Sequence, residues 1–123
     1  MENTYRTVTP YLVVKDGDAE LKFLEAAFGA KQKFCERRPD NTVMHAEVTI
    51  GDSLIMLGQS NDQYRARTAS FFLWVDDADE TYAKALAAGA TSESPVGDKP
   101  YGRSGGVTDS NGQTWWMTSA TKQ

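Results

Sequence analysis

The sequence predicts an α+β fold made of two β-α-β-β-β modules, and three observations predict it. They are an internal repeat offset by about 60 residues, a change from strand-like to helical spacing inside each copy, and acidic or glycine residues at the change points. Leu12-Val13-Val14-Lys15-Asp16-Gly17-Asp18-Ala19-Glu20 is answered by Leu73-Trp74-Val75-Asp76-Asp77-Ala78-Asp79-Glu80. Each copy opens on an apolar strand and turns at an acidic segment suited to capping a helix. The first helix is expected to bury Ala19, Phe23, Ala26 and Ala27, with Leu24 at the margin, and to stop at Gly29-Ala30, where glycine suits the left-handed residue beyond a helix end. The second is expected to bury Ala78, Tyr82, Ala85 and Leu86 and to stop at Gly89-Ala90.

Three extended segments follow each helix, at about 31–37, 43–50 and 53–58 in the first copy and about 91–96, 103–109 and 113–119 in the second. The last two of each set are joined by Gly51-Asp52 and by Ser110-Asn111-Gly112. Module one thus spans about 5–58 and module two about 69–120, joined by a polar linker at 59–68, with the whole chain 1–123 read as one domain. A four-stranded sheet with one helix leaves a face bare, so the two sheets are expected to curl into a cup with helices outside and a cleft inside. A flat sandwich with a filled core is the alternative.

Composition narrows the function. With 17 acidic against 13 basic residues and a net charge of -4, the chain has no basic stripe to displace counterions from nucleic acid. The one cysteine, Cys35, excludes an intrachain disulfide framework and a cysteine-cluster zinc site, and is read as a small, partly buried side chain. The longest apolar run, Phe71 to Val75, is far short of a bilayer span, so no membrane is expected as a partner. The N-terminal residues lack a charged region followed by an apolar stretch, and a cytoplasmic location is expected.

Strand alternation divides the residues between two faces. Leu12 and Val14, then Met44, Ala46, Val48 and Ile50, then Phe71, Leu73 and Val75, then Trp115 and Met117 form purely apolar sets that suit packing under helices. The opposite sets hold Tyr11, His45, Glu47, Phe72, Trp74 and Trp116 among hydroxyl residues. Bulky rings with a few orienting polar groups are the composition of a ligand cavity wall. The aromatic set offers stacking and cation-π contact to a planar or cationic ligand, or else simply fills the cup. His45 and Glu47 share a face, as an acid/base pair, a polar hook for ligand, or a satisfied structural hydrogen bond. In the glycine-rich stretch Gly97 to Gly106, Tyr101 and Arg103 are candidates to reach a ligand from a lip, Arg103 as an anion contact; a plain connection between strands is the simpler reading.

Taken together, Val8-Thr9-Pro10-Tyr11-Leu12-Val13-Val14, Phe28-Gly29-Ala30, Met44 to Ser53, Val75-Asp76-Asp77-Ala78-Asp79, Gly89-Ala90 and Tyr101 to Val107 running into Asp109, Gly112 and Trp115 resemble the vicinal oxygen chelate superfamily. That group includes glyoxalase I, bleomycin-resistance and fosfomycin-resistance proteins and extradiol dioxygenases, and the chain looks closest to its small PhnB-like branch. The resemblance implies paired βαβββ modules, a cupped sheet and a homodimer. Metal-dependent members place four ligands on the cavity face, and those positions fall here on Thr9, Glu47, Ser70 and Trp116. One carboxylate, two hydroxyls and an indole cannot supply the three or four donors that a catalytic zinc, nickel or iron needs. No metal and no cofactor is therefore expected. A histidine typical of the branch in the closing turn is replaced by Gln113. The leading expectation is a metal-free protein that binds and sequesters an aromatic or amphipathic small molecule, as in drug resistance. The alternatives are a glyoxalase-like lyase or isomerase with Glu47 as base assisted by His45, and an inert dimer with a filled cavity.

Overall fold

The two acidic turns of the repeat start the two helices. Asp16 accepts from the Ala19 N–H to cap α1, Gly17–Phe28, and Asp77 accepts from the Glu80 N–H to cap α2, Ala78–Ala87. Gly29 closes α1 in the left-handed region at φ 68°, where a side chain would be strained. The strands are β1 Tyr11–Val14, β2 Lys31–Arg37, β3 Val43–Ile50, β4 Ser53–Gln59, β5 Ser70–Trp74, β6 Thr91–Lys99, β7 Gly102–Thr108 and β8 Thr114–Ser119. The structure is a computed structural model that describes residues 5–121.

The eight strands form two four-stranded sheets with the same topology, β1-β4-β3-β2 and β5-β8-β7-β6. In each, the first strand pairs in parallel with the fourth, and the remaining pairs are antiparallel. This is the predicted α+β architecture of two βαβββ modules, with each helix laid on its own sheet. Among the described residues no ladder joins the two sheets. The modules meet instead through their helix sides: α1 packs on α2, and the Phe28 ring lies 5.2 Å from that of Trp115, which in turn stacks on Phe71 at 4.4 Å.

Leu12, Val14, Ala46, Val48, Trp115 and Met117 are buried, as the alternation requires. The pattern fails at the start of β3. Met44 is 41% exposed whereas Val43 is fully buried, because the register with β2 slips between Glu36 and Arg37 and a bulge reverses the faces beyond His45. On α1 the buried face is Gly17, Glu20, Phe23, Leu24 and Ala27; Ala26 is exposed and Ala19 half-buried, contrary to the predicted stripe. On α2, Ala78 and Ala85 are buried but Leu86 is exposed. Tyr82 is half-buried and donates its hydroxyl to Ser92 Oγ at 2.6 Å.

A polar junction completes the join. Asp109 is 5% exposed; its Oδ1 accepts from the Asn111 and Gln113 amides and its Oδ2 accepts from the Trp115 indole N–H at 2.9 Å. The Asn111 side chain then reaches α1, donating to Asp16 O and Glu20 Oε1 and accepting from the Asp16 N–H. Gln113 pins the linker, accepting from the Ala69 N–H and donating to Arg67 O. Replacing Asp109 by alanine strands three donors, two of them buried, so Asp109→Ala is expected to cost about 3 kcal/mol in urea unfolding, and Asp109→Asn, which keeps an acceptor oxygen, less.

Candidate functional site

β3 and β1 display the first group of predicted residues on the sheet face opposite α1. His45 and Glu47, two apart in β3, point the same way, and the His45 Nε2 lies 2.9 Å from Glu47 Oε2. The other ring nitrogen, Nδ1, is 3.2 Å from the Tyr11 hydroxyl, and the Tyr11 and His45 rings stack at 5.5 Å with 29° between their planes. The geometry suits Nε2–H as donor to the carboxylate, with the Tyr11 hydroxyl as the partner of Nδ1. Phe34, opposite Glu47 on β2, brings its ring to 6.0 Å from His45.

Sequence reasoning missed one member of this group. The Tyr5 hydroxyl donates to Glu47, at 2.9 Å from Oε2 and 3.1 Å from Oε1. It comes from the segment before β1, 42 residues away in sequence, so no local pattern marks it. Glu47 is held below the usual carboxylate range, first by the His45 hydrogen bond and then by Tyr5, against the opposing effect of burial. The same contact raises the Tyr5 hydroxyl above its usual value.

β5 and β8 carry the second group. Phe72 and Trp74 share a face and are 63% and 65% exposed, and Trp116 stands beside Phe72 in the parallel register. The Trp116 ring lies flat enough on β7 that a Cβ at Gly106 would come within 2.5 Å of it, so glycine there makes the ring's bed. Tyr101 sits exposed in the tight turn between β6 and β7. The stretch 97–106 is a β-hairpin, most of it within those two strands, rather than a lip. Arg103 is bound bidentately by Asp79, at 2.6 and 3.0 Å, and by Asp98 at 3.1 Å, which raises its already high pKa.

The predicted residues therefore fall into two clusters: Tyr11, His45 and Glu47 on one sheet, and Phe72, Trp74 and Trp116 on the other, with Tyr101 and Arg103 at the β6–β7 end of the second module. Between the modules runs a groove of about 1000 Å³, lined among others by Thr9, Phe28, Ile50, Phe71, Phe72 and Trp74. Of the four positions that the resemblance implies as metal-facing, Thr9 and Glu47 belong to the first module and Ser70 and Trp116 to the second. Among the described residues no three His, Cys, Asp or Glu side chains gather as a metal site, and a lone carboxylate with two hydroxyls does not fit a divalent transition metal. Among the described residues no helix is long and apolar enough to cross a membrane.

Glu47 carries a sign-definite pH effect. Its lowered folded pKa stabilises the fold above the ordinary carboxylate value, and that contribution is lost as pH falls through the lowered one. Tyr5→Phe removes a donor, so the Glu47 carboxyl, followed by carbon-13 NMR, is expected to titrate closer to an ordinary glutamate, and the stability lost on acidification through this group to be smaller. An unchanged titration would show that the Tyr5 bond is not made in solution.

The uncharacterized protein Rv0887c of Mycobacterium tuberculosis is 30% identical to the chain over 133 residues, covering 98% of this chain and 78% of that protein. Among solved structures, TioX from Micromonospora sp. ML1 superposes with a TM-score of 0.79 at 26% identity, covering 94% of this chain and 98% of TioX. The bleomycin-binding protein from bleomycin-producing Streptomyces verticillus, solved with copper(II)-bleomycin, superposes with a TM-score of 0.63 at 22% identity, covering 97% and 99% of the two chains; at that identity the likeness is one of fold. The sequence profile of one family spans residues 6–117, across both modules and the linker, and the chain belongs to that family, the Glyoxalase/Bleomycin resistance protein/Dioxygenase superfamily.

Proposed function

We propose that the protein binds an aromatic or amphipathic small molecule without a metal and sequesters it, acting as a homodimer in the cytoplasm. The observation that carries this reading is the pair Phe72 and Trp74. Both rings stand about two-thirds exposed, and both wall a groove of about 1000 Å³, a volume suited to a small-molecule ligand. Exposed rings of this size, gathered on one face, mark a surface that another molecule covers. Trp116 stands beside Phe72 on the same sheet, while Tyr11 and the Glu47–His45 pair lie on the other sheet as a second set of ligand-facing groups. Tyr101 is free at the hairpin tip to reach a ligand, whereas Arg103 does so only by giving up an ion pair with Asp79 or Asp98. A second copy laid against these faces would bring the two aromatic clusters, separate within one chain, to a common pocket.

The family resemblance also supports an enzyme reading, and the 2.9 Å His45–Glu47 contact favours it. Against it stands the chemistry of that contact. A carboxylate held below its usual range binds a proton less tightly, so Glu47 is a weaker base than an ordinary glutamate. The two readings separate on metal content: protein purified without chelator is expected to hold none in stoichiometric amount, and stoichiometric zinc, nickel, manganese or iron would sink the binding-protein reading.

Binding itself is tested by tryptophan fluorescence. Planar aromatic compounds are expected to quench it saturably in the wild type, and Trp74→Ala to weaken binding by about tenfold, the worth of one good ring contact. No quenching across a broad panel would leave an inert dimer.

A further inference from the structure

We propose that Glu20 and Asp109 form a proton-dependent latch between the two modules, closed while the pair shares one proton and loosened when that proton leaves. Glu20 is on α1 in the first module and only 1% exposed; Asp109, in the turn after β7 in the second module, is 5% exposed. Asn111 ties them together, donating its side chain to Glu20 Oε1 at 2.9 Å and its amide to Asp109 Oδ1 at 2.9 Å. The other Glu20 oxygen, Oε2, is buried without a hydrogen-bond partner. A carboxylate cannot donate to the Asp109 carboxylate beside it, but a carboxylic acid can, so one proton on Oε2 satisfies the orphan and removes the clash of two buried anions.

Asp109 and Asn111 are the groups that act on Glu20, and no cation is among them. Gln59, which faces the start of α1 from β4, is neutral and accepts from the Gly17 N–H. Burial first, and Asp109 second, push Glu20 from 4.5 up to about 9. The sign follows. A folded-state value above the unfolded one gives stability that is complete below about 4.5 and is lost as pH rises to about 9. Across that window the unfolded chain has released a proton that the folded chain keeps, so the unfolding constant rises about tenfold per pH unit on this account alone. Above it the proton passes to solvent, two adjacent carboxylates face each other in the junction, and α1 is pushed from the β7–β8 turn. The modules then lose the contact that fixes how their two open faces are set.

The test compares the wild type with Glu20→Gln, whose amide keeps the acceptor for Asn111, offers Asp109 a donor and does not titrate. Between pH 6 and 8 the unfolding constant of the wild type, from urea titrations, is expected to rise about 100-fold more than that of the variant. In carbon-13 NMR of the wild type, the Glu20 carboxyl is expected to titrate above pH 7. The Trp115 indole N–H, bonded to Asp109, reads the junction directly: above pH 9 its resonance is expected to shift and broaden in the wild type more than in Glu20→Gln. Parallel stability profiles, a Glu20 carboxyl that titrates below pH 6, or Trp115 signals that respond identically in both proteins would each overturn the latch. The NMR titration needs only the wild type, so the proposal stays testable if the variant does not fold.

Discussion

A sheet of four strands backed by one helix can bury only one of its faces, and everything distinctive in this molecule follows from that constraint. Each module satisfies its helix side, with Leu12, Val14, Ala46, Val48 and Leu57 under α1 and Val107, Trp115 and Met117 under α2. The two helix sides then join, so that hydrophobic burial is concentrated where the modules meet. What is left over is the opposite face of each sheet, and there the chain places Tyr11, Phe72 and Trp74, all more than half exposed. Rings of that size are the residues most able to gain from being covered, which is why the open faces are the natural place for ligand and partner.

Joining the modules through apolar surface alone would leave their relative placement loose. Asp109 removes that freedom. A single buried carboxylate accepts from the Trp115 indole and two turn amides, and through Asn111 the same turn grips the N-terminus of α1. Hydrogen bonds with a charged acceptor in a site away from water are directional and costly to break, so they set an angle that dispersion does not. Gln113 extends the arrangement to the linker, holding Arg67 and Ala69 by both ends of its amide. Gln113 thus has a structural occupation here.

The candidate site shows how much a linear pattern reveals. That His45 and Glu47 meet was legible, since residues two apart in a strand share a face, and so was the alternation that sets Phe72 and Trp74 opposite Phe71 and Leu73. Tyr5 was not, because it reaches Glu47 from a segment without periodicity. The carboxylates of Asp79 and Asp98 that occupy Arg103 come from a different helix and a different strand, and pairing of that kind leaves no mark along the chain. Glu20 did leave one: it falls in step with Phe23, Leu24 and Ala27 on α1, and an acidic residue on an apolar stripe signals a buried carboxyl. Met44 shows the opposite case, where a register slip that only pairing with β2 creates overrides a regular alternation.

By itself the sequence determined the two-module repeat, the helix caps at Asp16 and Asp77, the strand positions and the composition of the open faces. These are set by interactions between residues a few places apart, where periodicity and side-chain chemistry suffice. Tertiary structure alone decided that the modules join helix side to helix side and that Tyr5 completes the Glu47 group. It also decided that Arg103 is neutralised and that Glu20 is enclosed beside Asp109. Each of these depends on residues far apart in the chain arriving at one place, where the energy of a charge or a donor is set by its neighbours and by the exclusion of water rather than by its position in the sequence.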